Sequence, residues 1–109
     1  MTVKKLAEKL NCKIEAGKDS LEREISGCYI CDLLSYVISK AGSGSAWITI
    51  MTNVNTVAVA MLADVACIIV AEGNRPDSET IAKANEEDIA VLSSDLTAYE
   101  LAVGISKLI

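Results

Sequence analysis

The residues best suited to chemistry are four cysteines, at positions 12, 28, 31 and 67, in a chain of 109 residues with no histidine. Cys28 and Cys31 form a Cys-x-x-Cys motif around Tyr29 and Ile30. A redox pair needs an attacking thiolate, which a helix N-terminus stabilises, and a helix start is expected just beyond Cys31. The apolar pair between the cysteines favours a structural or incidental role. A four-cysteine metal site would need Cys12 and Cys67 to converge on the motif, yet Cys67 falls inside an apolar run that reads as a core strand. No metal and no cofactor are expected. The missing histidine removes the commonest neutral-pH acid–base group and every histidine-based triad. The glycine-rich stretch Gly42-Ser43-Gly44-Ser45 lacks the lysine and spacing of a phosphate loop. Asp32, Asp95 and Glu100 read as caps of helix starts, Tyr99 as a packing residue. The chain is read as non-catalytic.

What remains is a set of polar loops. In open parallel sheets, ligands sit beyond the carboxyl ends of the strands, where helix N-termini present backbone N–H groups to anions. Three loops are expected at that edge: Met51 to Asn55, Glu72 to Asp77, and Ser93 to Thr97. They supply Thr52, Asn53, Asn55, Gly73, Arg75, Ser94 and Asp95 as candidate ligand-binding residues, with Arg75 the best partner for an anion. Thr52, Asn53, Asn55, Ser94 and Asp95 have a competing role as helix caps, each worth about 0.5–2 kcal/mol.

The elements that must carry these loops follow from hydrophobic spacing. Val3, Leu6, Ala7 and Leu10 recur at helical intervals, and Asn11 suits the helix end. Cys12 to Ala16 alternates like a half-exposed strand, and Ile25 to Ile30 reads as another. Asp32 is expected to cap a second helix carrying Leu33, Leu34, Val37 and Ile38. Ala46–Ile50 reads as a buried strand. Asn53 or Asn55 is expected to cap a third helix, Ala-rich and running to about Ala63. Ala66–Ala71 is apolar on both faces, as in a central parallel strand. A fourth helix follows Pro76-Asp77, Ile89–Leu92 is a strand, and Ser94 or Asp95 is expected to cap a last helix. The strand–helix alternation predicts an α/β fold, a mainly parallel sheet flanked by helices, in one domain over 1–109. Apolar residues are 51% of the chain, yet there is no Phe and one Trp, so Ile, Leu, Val and Ala must form the core. The net charge of −5 argues against nucleic-acid binding. No apolar run is long enough to span a bilayer, and the charged N-terminal helix is not a secretion signal. A cytoplasmic location is expected.

At these loops the sequence resembles the DRTGG domain family, and the related N-terminal domain of HPr kinase/phosphorylase. Such domains occur in some phosphotransacetylases and in CBS-domain pyrophosphatases. The resemblance runs from Val3–Leu10 through Leu21–Ile25 and Trp47–Ile50, and is sharpest at Gly73–Asp77 and Leu92–Glu100. Thr52-Asn53 stands where the family has Asp-Arg, and Ala71-Glu72-Gly73 where it has Thr-Gly-Gly. The resemblance implies a regulatory, ligand-sensing module that forms a homodimer and binds a small anionic metabolite or nucleotide. The alternatives are an interaction subunit docking on a partner enzyme, through the Ala-rich helix near Val57–Ala63, and a small thiol redox protein.

Overall fold

The computed structural model describes residues Met1–Ile109. Five strands form one sheet in the order β1-β5-β4-β3-β2, with β1 Lys13–Ala16, β2 Gly27–Ile30, β3 Ser45–Thr49, β4 Cys67–Val70 and β5 Val91–Ser93. The pairs β2–β3, β3–β4 and β4–β5 are parallel, and β1 alone runs antiparallel, against β5. The mainly parallel α/β sheet expected from the alternation of elements is thus present, with the Ala66–Ala71 run forming its middle strand.

Helices cover both faces: α1 Val3–Leu10 and α5 Ala98–Ser106 on one, α2 Leu34–Lys40, α3 Asn55–Ala63 and α4 Ser78–Glu86 on the other. The strands serve two cores because successive side chains point to opposite faces. Ala46, Ile48, Cys67 and Ile69 pack with Val3, Leu6, Leu101 and Ile105 on one side. Trp47, Ile68 and Val70 pack with Val37, Val57, Ala60 and Ala84 on the other. Trp47 fills the space that a Phe-free sequence leaves, and its indole N–H donates to the Cys31 carbonyl at 2.9 Å.

Helix ends follow sequence chemistry in three places and depart from it in three. Thr2 accepts from the Lys5 N–H to cap α1, Asn11 closes that helix in the left-handed conformation, and Asp77 caps α4 through the Thr80 N–H. Asp32 does not cap α2: its Oδ1 accepts from Thr49 Oγ1 at 2.7 Å and the Ile50 N–H at 3.0 Å, tying the β2–α2 connection to the end of β3. Asn53 makes a local turn with the Asn55 N–H and Asn55 is already helical, so neither is the cap of α3. Ser94 and Asp95 lie before the α5 cap, which is Thr97, in a reciprocal capping box with Glu100. No helix is long and apolar enough to cross a membrane.

Candidate functional site

The carboxyl ends of β4 and β5 meet the amino end of β1, because β1 runs antiparallel and pairs Lys13 with Ser93. A cavity of about 90 Å³ opens there, lined by Asn11, Lys13, Asn74, Arg75, Ser93, Ser94 and Asp95. A second, of about 390 Å³, adjoins it and shares Asn11, Ser94 and Asp95, adding Lys9, Leu10 and Leu96. The loop after β4 is laced to the loop after β5: the Glu72 N–H donates to the Leu96 carbonyl at 2.8 Å and the Gly73 N–H to the Ser94 carbonyl at 3.0 Å. This lacing requires two consecutive left-handed residues, Glu72 at φ 62° and Gly73 at φ 77°. Gly73 takes that conformation freely; Glu72 takes it against its own Cβ.

Behind Arg75 and Ser93 of the lining lies Glu15, a partner of both that the sequence does not mark. The register of β1 against β5 shifts between Ile14 and Ala16, a bulge that leaves Glu15 without a cross-strand partner. Its side chain, only 7% exposed, turns to Ser93 and Arg75. Ser93 Oγ donates to Glu15 Oε2 at 2.6 Å and Arg75 Nη1 donates to the same oxygen at 2.9 Å. Nη1 also reaches Ser93 Oγ at 3.3 Å, and Lys13 Nζ lies 3.7 Å from Glu15 Oε1. Burial alone would raise the Glu15 pKa. The hydrogen bonds from Ser93 and Arg75 and the charges of Lys13 and Arg75 outweigh it and hold the carboxyl below the ordinary value. Arg75 Nη2 and Nε have no protein partner, so the planar fork is anchored on one side and open on the other.

Of the residues singled out in the sequence, Arg75, Ser94 and Asp95 line this cavity together. Gly73 shapes the turn beside it, and a Cβ at that position would come within 3.7 Å of Asp95 Oδ1. Thr52, Asn53 and Asn55 are not part of the lining. Their loop is bound elsewhere: the Thr52 carbonyl accepts from the Asp77 N–H at 3.0 Å and from Thr80 Oγ1 at 2.9 Å, at the start of α4. Asn11 and Lys13 join the site through the antiparallel β1, whose direction the alternation of residues 12–16 does not reveal, and Ser93 joins it from the end of β5.

The cysteines do not assemble. An extended chain advances about 3.3 Å per residue, so Cys28 and Cys31 are roughly 10 Å apart, beyond the 7 Å limit for a disulfide. They also point to opposite faces. Cys28 pairs with Ala46, whose side chain belongs to the α1–α5 core, whereas Cys31 packs in the α2–α4 core. Burial pushes the Cys12 thiol up to about 11 and raises Cys67 further. No group of three or more His, Cys, Asp or Glu side chains is placed to hold a metal ion.

The DRTGG domain family model matches residues 5–108. The chain belongs to the DRTGG domain family. The fold is also that of a crystal structure of the CBS and DRTGG domains of the regulatory region of Clostridium perfringens pyrophosphatase, complexed with the activator diadenosine tetraphosphate. The TM-score is 0.73 at 14% identity, over 92% of this DRTGG chain and 44% of the other. This chain thus spans less than half of that regulatory region. No curated protein matches the chain.

Proposed function

We propose that this DRTGG domain is a regulatory module that senses a small anionic ligand in the cleft between β1, β4 and β5. The observation that carries the reading is the anchored fork of Arg75. The Glu15 carboxylate and the buried Ser93 hydroxyl hold one nitrogen of the guanidinium, Nη1, which limits the freedom of the side chain before a ligand arrives and leaves Nη2 and Nε to donate. Lys13 and Lys9 add positive charge locally in a chain whose net charge is −5. The inner cavity has room for about three waters at roughly 30 Å³ each, the size of a phosphoryl or carboxylate group. The adjoining cavity falls in the 300–1,000 Å³ range of small-molecule sites, and its Leu10 and Leu96 offer apolar surface to the body of a nucleotide or acyl phosphate. The place of the similar domain in a regulatory region that binds a nucleotide activator supports the same class of ligand.

Titration of the chain with AMP, ATP, acetyl phosphate and inorganic phosphate, followed by calorimetry and thermal melting, tests this. At least one of them stabilises the wild type, and Arg75→Gln weakens that binding tenfold or more, the equivalent of about 1.4 kcal/mol. Absence of any stabilisation, or equal affinity in Arg75→Gln, overturns it.

A second reading, assembly with another copy or with a partner enzyme, is favoured by apolar residues left uncovered. Leu62 is 71% exposed on α3, and Ile30, Leu33 and Tyr36 are about half exposed at the β2 end of the sheet.

A further inference from the structure

Asp95 is the one charged residue that lines both the inner cavity of about 90 Å³ and the outer one of about 390 Å³. It has none of the roles that usually explain an aspartate just ahead of a helix. The cap of α5 is Thr97, and the Leu96 N–H is taken by Ser94 Oγ at 3.0 Å. The Asp95 carboxylate accepts no hydrogen bond and pairs with no cation of the chain, for Lys13 and Arg75 of the same lining are both engaged by Glu15. Its Oδ1 stands beside Gly73, 3.7 Å from the place a Cβ would take, on the side of the cleft formed by the turn after β4. Asn11 also lines both cavities, and its side-chain amide makes no hydrogen bond within the chain.

A free carboxylate beside an anion subsite weakens that subsite. A phosphoryl group held by Arg75 is repelled by Asp95 across the same small cavity. The repulsion becomes selection when the ligand itself brings donors. Hydroxyl groups next to the anion satisfy the carboxylate, whereas an anion without them meets its charge unshielded. An ionised carboxylate only accepts, and its two oxygens suit two neighbouring hydroxyls. We infer that Asp95 selects phosphate monoesters carrying a vicinal diol: the phosphate on Arg75, the diol on Asp95 and Asn11 at the boundary, the rest of the ligand over Leu10 and Leu96. Acyl phosphates, which offer no such hydroxyls, are disfavoured. Ribonucleotides and sugar phosphates share the diol chemistry, and the apolar surface of Leu10 and Leu96 favours a ligand with a base. This inference rests on the ligand-sensing reading of the Arg75 cleft and narrows its ligand class.

The test is calorimetric titration of the full chain with AMP, its 2′,3′-dideoxy analogue, ribose 5-phosphate, acetyl phosphate and inorganic phosphate. Wild type, Arg75→Gln, Asp95→Ala and Asp95→Asn are compared, with circular dichroism to verify folding. The wild type is expected to bind AMP at least tenfold more tightly than the dideoxy analogue or acetyl phosphate. Asp95→Ala is expected to bring AMP and the dideoxy analogue within about twofold of each other. Asp95→Asn, which removes only the charge, binds inorganic phosphate at least as tightly as the wild type. AMP bound more tightly than ribose 5-phosphate supports a nucleotide as the source of the diol, and equal binding supports a sugar phosphate. Binding of none of these compounds, or binding indifferent to Arg75→Gln, overturns the cleft reading and this inference together. Arg75-dependent binding with equal affinity for AMP and its dideoxy analogue, or a preference that survives Asp95→Ala, overturns the role of Asp95 alone. Should an Asp95 variant fail to fold, the wild-type comparison of AMP with its dideoxy analogue decides: a tenfold preference supports the diol, and equal affinity refutes it.

Discussion

Glu15 is the residue on which the cleft turns, and nothing in its neighbourhood of the sequence marks it. Lys-Ile-Glu-Ala reads as an alternating half-exposed strand, which puts a glutamate in water. Its burial comes from partners 60 and 78 positions away, Arg75 and Ser93. Arg75 was legible because it lies in a polar loop after an apolar strand. The counter-ion that orients it was not, because a buried acid becomes tolerable only through contacts the fold creates. A pH dependence follows. The folded-state pKa of Glu15 lies below its ordinary 4.5, so its contribution to stability is complete above that value and is lost as pH falls through the folded-state value. Glu15→Gln is expected to lower stability at neutral pH by about 1–2 kcal/mol and to flatten the decline below pH 5. Denaturant unfolding at a series of pH values measures both. An unchanged acid slope in Glu15→Gln would place the titration elsewhere, on Asp64 or Asp77, whose pKa values are also lowered.

At the scale of elements, strands were more legible than helix starts. The β4 run is apolar on both faces because both faces are covered, a pattern visible in sequence. Caps are chosen locally among several eligible residues, and the geometry of the incoming loop decides. Ser94 and Asp95 were eligible at α5, but the loop bound to Glu72 and Gly73 delays the helix to Thr97. The turn after β4 offers the sharper test. Glu72 holds φ 62° without the freedom of glycine, a conformation that costs an L-residue about 1–2 kcal/mol. Part of any relief is offset by the greater unfolded-state entropy of glycine. Glu72→Gly is expected to raise stability by about 0.5–1 kcal/mol in denaturant unfolding. A loss of stability would mean that the Glu72 side chain contributes more than its backbone conformation costs.

For the whole molecule, the strand order makes the N-terminal segment indispensable. Val3, Leu6 and Ala7 are buried against α5 and the sheet, and β1 covers the open edge of β5. A chain lacking residues 1–20 loses that helix, that edge and Glu15 together. It is expected to show exposed apolar surface by dye binding and to lose cooperative unfolding, even though β2 to α5 remain. Retention of a cooperative transition would show that the parallel β2–β5 unit folds alone. The sequence made the strand–helix series from Ala46 onward readable, since each crossover repeats the same pattern. It left the first 45 residues unplaced, because a short alternating strand can pair at either edge and in either direction.

The antiparallel seam between β1 and β5 also has a meaning in time. Lys13 and Ser93 are partners, so β1 must wait for a strand synthesised about 80 residues later. Glu15, Arg75 and Ser93 come together only once Ser93 has emerged from the ribosome. A product that stops before Ser93 lacks β5 and with it the cleft, so recognition there is acquired late in the synthesis of this domain.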